Sequence, residues 1–443
     1  MKVLEINGGK PLTGTIRISG AKNASVALIP AAILADSEVT ICNVPEITDT
    51  DALTEILEYL GATVKRASES VLINPTTIEN KEIPKELSTK LRASYYFMAA
   101  LLGKYKYVEM YFPGGCNIGA RPIDQTLKSF RALGATVEED NNKYKIYADK
   151  LKGAHIYLDM PSVGATINAM LASVKAEGET TIENAAKEPE VVNVAVFLNG
   201  MGAKITGAGT SEIKIKGVNS LKGCYTEVIP DRIEAGTYVI AGALMGENLK
   251  IDNIIPEHIE MLTLKLKEMG VPINIGPDYI IVSKGNNLKP VSIKTQGYPG
   301  FATDLQQPVT TLLTQCEGTS TLEETIYENR FQNVPYLNKL GANIEIDEKQ
   351  IHIKGKTELV GTTVKATDLR AGACLVLAGL LASGTTKVAN IEHVLRGYEN
   401  IVQKLTDVGA DIKLKEENWS SFFLFCSIIC GTKEKDYELE WRY

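Results

Sequence analysis

The phrase Leu60-Gly61-Ala62 closes a helical pattern and opens a strand, and it is the first of six copies along this chain. The other five copies are Leu133-Gly134-Ala135, Met201-Gly202-Ala203, Met269-Gly270-Val271, Leu340-Gly341-Ala342 and Val408-Gly409-Ala410. The six glycines are almost evenly spaced from Gly61 to Gly409. A nearly constant period is the sequence signature of a repeated supersecondary unit, so we expect a fold built from six units.

Each period contains the same order of signals. An apolar helix of small residues comes first, followed by a short strand, an amphipathic helix, the glycine turn and two alternating strands. The apolar helices are predicted over residues 24–35, 93–102, 165–176, 235–244, 309–315 and 371–382. The unit is therefore β-α-β-α-β-β or a close permutation, and the fold class is α/β (α+β). The first helix of each unit is expected to be buried and the second to keep a polar face outside.

Six units are expected to divide into two domains of three units each. A single core rarely extends beyond about 250 to 300 residues, which favours division over one closed ring. The seam is predicted near Ile229-Pro230-Asp231, which gives one domain over residues 22–229 and a second over 1–21 and 230–417. The opening strand, within residues 2–19, is expected to pair with the C-terminal half. Residues 418–443 are an atypical tail, whose apolar run is too short to span a bilayer.

Composition excludes several classes of function. The chain has 443 residues, 44% of them apolar, and a formal net charge of −7 without any Lys/Arg run. Nucleic-acid and membrane-surface proteins usually carry a basic patch, so small-molecule partners are expected instead. The N-terminus has no apolar segment of a signal peptide, which predicts a cytoplasmic protein. The seven Cys are scattered and none lies near a His at metal-ligand spacing, which predicts free thiols and no metal site.

The positions of arginine are more informative than the net charge. The chain has ten Arg among its 47 basic residues, and six of them lie at the start of a repeat helix. Those six are Arg92, Arg121, Arg232, Arg330, Arg370 and Arg396. Arg121 precedes Gly134 by the same distance along the chain as Arg396 precedes Gly409, so the two arginines occupy one position in two units. Because helix N-termini present free N–H groups and guanidinium adds a planar fork, anions are expected to bind at these starts.

The starts of the buried helices hold a second set of polar residues. These are Lys22-Asn23, Arg92, Ser162-Val163-Gly164, Asp231-Arg232, Asp304, and Asp368 with Arg370. N-capping is the ordinary interpretation of Asp304 and Asp368. It cannot explain the cations, because a positive charge at a helix N-terminus opposes the helix dipole. Equivalent helices of a repeat point the same way, so these ends are expected to converge on one cleft between the domains.

Cys116 lies in the glycine-rich loop Pro113-Gly114-Gly115-Cys116-Asn117-Ile118-Gly119, directly before Arg121. Most free cysteines are small buried hydrophobes. A cysteine beside an arginine and a helix start can instead have a lowered thiol pKa, which suits an acid or a nucleophile. The residues alone leave both interpretations open.

Several motifs, taken in order, resemble one known family. They are Ser19-Gly20-Ala21-Lys22-Asn23-Ala24, the loop 113–119 with Arg121-Pro122-Ile123-Asp124-Gln125, Thr303-Asp304-Leu305-Gln306-Gln307-Pro308, Glu328-Asn329-Arg330-Phe331, Asp368-Leu369-Arg370-Ala371-Gly372 and Arg396-Gly397-Tyr398-Glu399. From about residue 1 to residue 416 the chain resembles the UDP-N-acetylglucosamine 1-carboxyvinyltransferases of the enolpyruvyl transferase family. Asn117, where the family often has Ala, and the tail after residue 416 depart from the pattern.

The resemblance implies a fold and a reaction. The fold is an inside-out α/β barrel of two domains, with three β-α-β-α-β-β units in each and an active-site cleft between them. The reaction moves the enolpyruvyl group of phosphoenolpyruvate to the 3-hydroxyl of UDP-N-acetylglucosamine and releases phosphate, the first committed step of peptidoglycan precursor synthesis. Such an addition–elimination needs an acid, a base and fixed cations. No cofactor and no metal are implied.

The resemblance also implies roles for individual residues. Cys116 is the acid that protonates phosphoenolpyruvate, can form an adduct with it and is alkylated by the epoxide fosfomycin. Asp304 takes the hydroxyl proton, and Lys22 and Arg396 act at the phosphate. The other residues implied to bind the substrates are Asn23, Arg92, Arg121, Pro122, Ile123, Asp124, Gln125, Ser162, Val163, Gly164, Ile326, Arg330, Asp368 and Arg370.

Two rival interpretations stay open. A sister enolpyruvyl transferase acts on shikimate 3-phosphate and shares the fold, but it lacks the cysteine loop that this chain has. A non-catalytic repeat scaffold would use the same helix-start cations only to bind the anions of a partner.

Overall fold

The computed structural model describes residues 2–114 and 122–416. Within these residues the strands are β1 (Lys2–Asn7), β2 (Thr15–Arg17), β3 (Val39–Cys42), β4 (Thr63–Ala67), β5 (Ser70–Asn74), β6 (Tyr107–Tyr111), β7 (Thr136–Asp140), β8 (Lys143–Tyr147), β9 (His155–Tyr157), β10 (Glu179–Glu183), β11 (Lys204–Thr206), β12 (Glu212–Lys216), β13 (Tyr225–Glu227), β14 (Leu249–Asp252), β15 (Ile273–Ile275), β16 (Tyr279–Val282), β17 (Ser292–Lys294), β18 (Gly318–Glu323), β19 (Ile344–Asp347), β20 (Gln350–Gly355), β21 (Thr363–Lys365), β22 (Thr385–Ala389) and β23 (Asp411–Glu416).

The α-helices of the same residues are α1 (Lys22–Ala31), α2 (Thr48–Tyr59), α3 (Lys85–Ser88), α4 (Tyr96–Tyr105), α5 (Asp124–Ala132), α6 (Val163–Ser173), α7 (Pro189–Gly200), α8 (Arg232–Met245), α9 (Glu260–Met269), α10 (Gln306–Leu313), α11 (Val334–Lys339), α12 (Leu369–Leu381), α13 (Glu392–Leu395) and α14 (Ile401–Asp407). Short 3₁₀ segments lie at Ala32–Leu34, Arg92–Tyr95, Pro256–Ile259 and Thr303–Leu305.

The repeated glycine turn is present in every unit. All six turn glycines have positive φ, between +89° and +109°. Glycine reaches this region without the steric cost of a Cβ atom, so it ends the outer helix and releases the chain into the next strand. The predicted repeat is confirmed at each of its six positions.

The first helix of each unit is buried and the sheets lie outside it. In α8, for example, every residue from Ile233 to Met245 is buried. The strand β12, by contrast, alternates buried Ile213 and Ile215 with exposed charged residues. This arrangement of helices within sheets confirms the predicted mixed α/β, inside-out class. The predicted starts of the six apolar helices each differ from the observed starts by two or three residues. The fifth, for example, begins at Gln306 and not at residue 309, because the 3₁₀ turn Thr303–Leu305 leads directly into it.

The sheets share one pattern of pairing. In a typical sheet, β17 and β18 are parallel, whereas β18 and β19 both pair with β20 in antiparallel register. The described residues form five four-stranded sheets and one three-stranded sheet. Their orders are β21-β22-β1-β23, β11-β12-β10-β9, β13-β3-β5-β4, β15-β16-β14-β2, β17-β18-β20-β19 and β6-β8-β7. In the last sheet, a parallel bridge from Ile83 to Met110 takes the place of the fourth strand.

Buried apolar side chains form two separate clusters. One extends from Ala21 to Val228, and the other joins residues 4–18 to residues 233–412. The strands β1 and β2 pair with β22, β23 and β14, so they belong to the sheets around the second cluster. We call residues 22–229 the first half and residues 2–21 with 230–416 the second half. The division into domains at these boundaries stays a prediction, and the tail 418–443 lies outside the described residues.

Candidate active site

Three charged side chains from the two halves meet where helices begin and end. Lys22 Nζ, on the first residue of α1, lies 2.9 Å from Asp49 Oδ2 on α2. Arg396 was predicted at a helix start, but it follows the last residue of α13 in the second half. It donates from Nε to Asp49 Oδ1 at 2.9 Å. Burial raises the pKa of Asp49, but Lys22 and Arg396 outweigh it and hold the pKa below its ordinary value. Two cations share one carboxylate, so this cluster keeps one net positive charge.

A second cluster surrounds Asp304 in the 3₁₀ turn before α10. Arg330 Nη2 lies 2.6 Å from Asp304 Oδ1, and Arg370 Nη2 lies 3.0 Å from Oδ2. Both arginine side chains are only 4% exposed, whereas that of Asp304 is 26% exposed. Burial raises the pKa of Asp304, but Arg370 and Arg330 outweigh it and hold the pKa well below the usual range. Asp304 is therefore an ionised carboxylate with a face open to solvent.

The two predicted helix caps behave differently. Asp368 Oδ1 accepts the backbone N–H groups of Arg370 at 2.8 Å and Ala371 at 3.0 Å, so Asp368 is the N-cap of α12. Its second oxygen accepts Gln307 Nε2 at 3.3 Å. Asp304 caps no helix, and the ordinary interpretation was wrong there because its carboxylate is occupied by arginines from distant segments.

An aromatic ring connects the Asp304 cluster to the segment that carries Arg396. The guanidinium of Arg370 lies 5.3 Å from the centroid of the Tyr398 ring. The Tyr398 hydroxyl is 2.9 Å from the Thr237 hydroxyl on α8. Tyr398 is buried and lies two residues after Arg396, so its ring joins the segment that carries Arg396 to the Asp304 cluster.

Arg92 and the start of α6 come together in the first half. The Arg92 guanidinium lies 5.8 Å from the Tyr95 ring and 5.1 Å from the Phe112 ring. Gly164 in turn packs against Tyr95, because a Cβ atom there would lie 1.6 Å from the tyrosine hydroxyl oxygen. Ser162 caps α6 by accepting the Ala165 N–H at 3.3 Å. The structure therefore brings Arg92 beside the predicted segment Ser162-Val163-Gly164.

The predicted residues at the start of α5 lie beside the same segment. Gln125 Nε2 donates to Asp159 Oδ2 at 3.0 Å, and the Asp159 N–H donates back to Gln125 Oε1 at 2.9 Å. Asp159 precedes Ser162 by three residues. Around it, Pro122 and Asp124 are exposed, whereas Ile123 is buried. Gln125 Nε2 also donates to Asp124 Oδ2 at 2.8 Å, so both side chains are hydrogen-bonded and the exposed Asp124 is held beside Asp159.

Ile326 lies near the Asp304 cluster in the second half. Its side chain is 42% exposed, although it is large and apolar. Its backbone N–H donates to Glu324 at 2.8 Å, and Glu324 also accepts the Thr303 hydroxyl at 2.8 Å. Thr303 accepts a hydrogen bond from Arg330 at 2.8 Å, so Ile326 is fixed relative to that arginine.

Cys116 and Arg121 lie outside the described residues, so their predicted roles stay predictions. Asn23, the neighbour of Lys22, is described and half-buried. Within residues 2–114 and 122–416, no three His, Cys, Asp or Glu side chains come together as a metal site would need. No helix in that part of the chain is long and apolar enough to cross a membrane.

Two carboxylates at the junction between the halves were not predicted from the sequence. Besides Asp49, Glu190 on α7 binds Arg232 across the junction, with Arg232 Nε 3.1 Å from Oε1. Asp49 precedes its turn glycine, Gly61, by the same distance along the chain as Glu190 precedes Gly202. Asp49 and Glu190 therefore share one position in their units, which is one residue closer to the turn glycine than the position shared by Arg121 and Arg396. Counting carboxylates as well as arginines back from each turn would have found both.

Comparison with known proteins identifies the family. A sequence model of EPSP synthase (3-phosphoshikimate 1-carboxyvinyltransferase) matches residues 6–405. UDP-N-acetylglucosamine 1-carboxyvinyltransferase 2 of Bacillus subtilis is 52% identical over 413 residues, which are 93% of this chain and 96% of that protein. The chain belongs to the enolpyruvyl transferase family. UDP-N-acetylglucosamine 1-carboxyvinyltransferase 1 of Streptococcus agalactiae is also 52% identical, over 94% of this enolpyruvyl transferase and 100% of its own length.

Solved structures of enolpyruvyl transferases have the same fold. The enolpyruvyl transferase NikO from Streptomyces tendae superposes with a TM-score of 0.86 at 29% identity, over 94% of this chain and 99% of NikO. EPSP synthase from Acinetobacter baumannii gives a TM-score of 0.73 at 18% identity, over 94% and 100% of the two chains, and shows the fold alone. The predicted family and fold class are confirmed, and this enolpyruvyl transferase is an enzyme.

Proposed function

We propose that this enolpyruvyl transferase moves the enolpyruvyl group of phosphoenolpyruvate to the 3-hydroxyl of UDP-N-acetylglucosamine and releases phosphate. The observation that carries the choice of acceptor is the identity of 50 to 52% to relatives with that name over 92 to 94% of this chain. The product would enter peptidoglycan precursor synthesis. Because that route begins from a nucleotide sugar inside the cell, we propose a cytoplasmic location, which cell fractionation would test.

The charges at the junction suit two anionic substrates. Phosphoenolpyruvate carries a carboxylate and a phosphate, and preorganised cations stabilise the charge that develops during addition and elimination. Lys22 and Arg396 would receive the phosphate together with Arg121, and Arg370 would lie near the carboxylate. Arg330 Nε is buried and has no hydrogen-bond partner among the described residues. The remaining predicted substrate-binding residues would hold the sugar and uridine.

Arg330 and Arg370, which together we call the arginine clamp, limit when Asp304 can act as a base. A carboxylate with a strongly lowered pKa holds a proton poorly, so the free enzyme has a weak base at this position. A substrate anion that engages Arg370 would weaken that clamp and raise the pKa of Asp304. Asp304 would then take the proton of the 3-hydroxyl as its oxygen attacks the substituted carbon of the enol, while Cys116 protonates the methylene carbon. Loss of a methyl proton and of phosphate completes the exchange.

Phosphate release from phosphoenolpyruvate tests this function directly. We expect release only when UDP-N-acetylglucosamine is added, with none for shikimate 3-phosphate or without an acceptor. Calorimetric titration with each acceptor provides the matching binding measurement. Release that depends on shikimate 3-phosphate would replace the proposal by the sister reaction, and binding of anions without any turnover would favour the scaffold.

A further inference from the structure

The chain passes between the halves at two adjacent segments. The Ala21 N–H donates to the Ile229 carbonyl at 2.7 Å, and the Asp231 N–H donates to the Ser19 carbonyl at 2.9 Å. Between these bonds, Gly20 and Pro230 form an antiparallel bridge. The two segments in which the chain crosses between the halves, residues 19–21 and 229–231, therefore form one short hydrogen-bonded ribbon.

Charged groups cluster on this ribbon at Ser19. The buried carboxylate of Glu234 accepts the Ser19 N–H at 2.8 Å and lies 2.6 Å from Lys404 Nζ. Lys404 also donates to the Ser19 hydroxyl at 2.6 Å. The Ser19 hydroxyl donates in turn to Glu399 Oε2. Ser19 therefore contacts a side chain of α8, one of α14 and one of the segment before α14, which are Glu234, Lys404 and Glu399.

Glu399 also contacts the first half. Its Oε1 accepts the backbone N–H of Glu46 at 2.5 Å. Glu399 lies three residues after Arg396, and Glu46 lies three residues before Asp49. The pairs Arg396–Asp49 and Glu399–Glu46 are therefore two neighbouring contacts between the same two segments of opposite halves.

Close packing fixes the segment between Arg396 and Glu399. A Cβ atom at Gly397 would lie 2.7 Å from the Leu369 side chain and 3.1 Å from Lys22 Cδ. On the crossing itself, a Cβ atom at Gly20 would lie 1.6 Å from the Asn43 carbonyl oxygen. Little space is left for either backbone to move, so a contact made by Glu399 restricts the position of Arg396.

We propose that Glu399 is a positioning residue, which holds Arg396 in place for the phosphate by binding the Ser19 hydroxyl in its own half and the Glu46 N–H across the junction. This inference rests on the proposed function, in which Arg396 meets the phosphate of phosphoenolpyruvate. Glu399 itself is not proposed to touch a substrate. Its carboxylate is needed because it accepts two donors at once, whereas an amide offers one oxygen and one NH₂ group.

A double-mutant cycle tests this role. Glu399→Gln is expected to raise the KM for phosphoenolpyruvate about tenfold at saturating UDP-N-acetylglucosamine, within the usual range of coupling energies. In an Arg396→Met background the same change should add less than about twofold. Glu392→Gln, an exposed glutamate on α13, is the matched control and should leave KM and melting temperature unchanged. Equal factors in both backgrounds would mean that Glu399 acts independently of Arg396 and would overturn the proposal.

A binding measurement separates this proposal from the proposed function. Calorimetric titration with inorganic phosphate needs no turnover, and Glu399→Gln should weaken phosphate binding in the Arg396 enzyme but not in the Arg396→Met enzyme. Ser19→Ala removes one donor without altering Glu399, so it should weaken binding in the same direction if Glu399→Gln fails to fold. A wild-type enzyme inactive on UDP-N-acetylglucosamine would reject the proposed function alone, whereas unchanged phosphate binding in both variants would reject the role of Glu399.

Discussion

Replacing Asp304 by Asn should lower turnover by about a thousandfold or more, because it removes the proposed base and the charge between two arginines at once. Arg330 and Arg370 would be left as buried cations without their carboxylate, a change that typically costs about 3 to 5 kcal/mol in folding free energy. Steady-state phosphate release and the free energy of unfolding, measured on the same preparation, check both effects.

The stabilisation by Asp304 is expected to depend on pH. Because the folded-state pKa of Asp304 is lowered from its ordinary 3.8, its ionised form contributes stability above that pH. This contribution is lost as the pH falls below 3.8. The free energy of unfolding of the wild type should therefore exceed that of the Asp304→Asn enzyme at neutral pH, and the two values should approach each other in acid. Asp407→Asn, at an exposed position on α14, is the control. An Asp304→Asn enzyme with unchanged turnover would leave Asp304 without the proposed role.

Replacing Cys116 by Ser is expected to lower turnover about a hundred- to ten-thousandfold, the usual contribution of a general acid. A serine hydroxyl is a far weaker acid than a thiol and does not give the adduct implied for Cys116. Mass spectrometry should show one covalent addition of fosfomycin to the wild type and none to the variant. Cys224→Ser removes a half-buried thiol whose pKa is raised by burial, and it should keep both activity and labelling. Full turnover by the Cys116→Ser enzyme would remove the acid role.

The fold was largely predictable because its strongest signal is repeated. Six glycine turns at nearly constant spacing indicated six units, and the all-apolar helices indicated burial, without knowledge of any single contact. Asp304 was wrongly expected to be an N-cap, because it looks like one locally. A 3₁₀ turn and two arginines, 26 and 66 residues further along, decide its environment instead. Rules based on sequence neighbours cannot predict contacts with residues this far along the chain.

The candidate site was predicted less completely than the fold. Helix-start cations were recognisable because a cation there opposes the dipole and needs another explanation. Asp49 and Glu190 passed unnoticed because an acidic residue in the first turn of a helix is ordinary. Only the structure shows that Arg396 and Arg232 of the other half bind them. Ser19 and Glu399 are 380 residues apart in the chain, and no spacing in the sequence predicts their hydrogen bond.

The proposed function requires one site assembled from both halves, so turnover after removal of one charge from each half is the most direct test. Phosphate release that depends on UDP-N-acetylglucosamine should fall about a hundredfold or more in Lys22→Met and likewise in Arg396→Met. Arg131→Met and Arg17→Met, exposed cations of the first and second half, should retain wild-type rates. Wild-type turnover in either Lys22→Met or Arg396→Met would contradict a shared site between the halves.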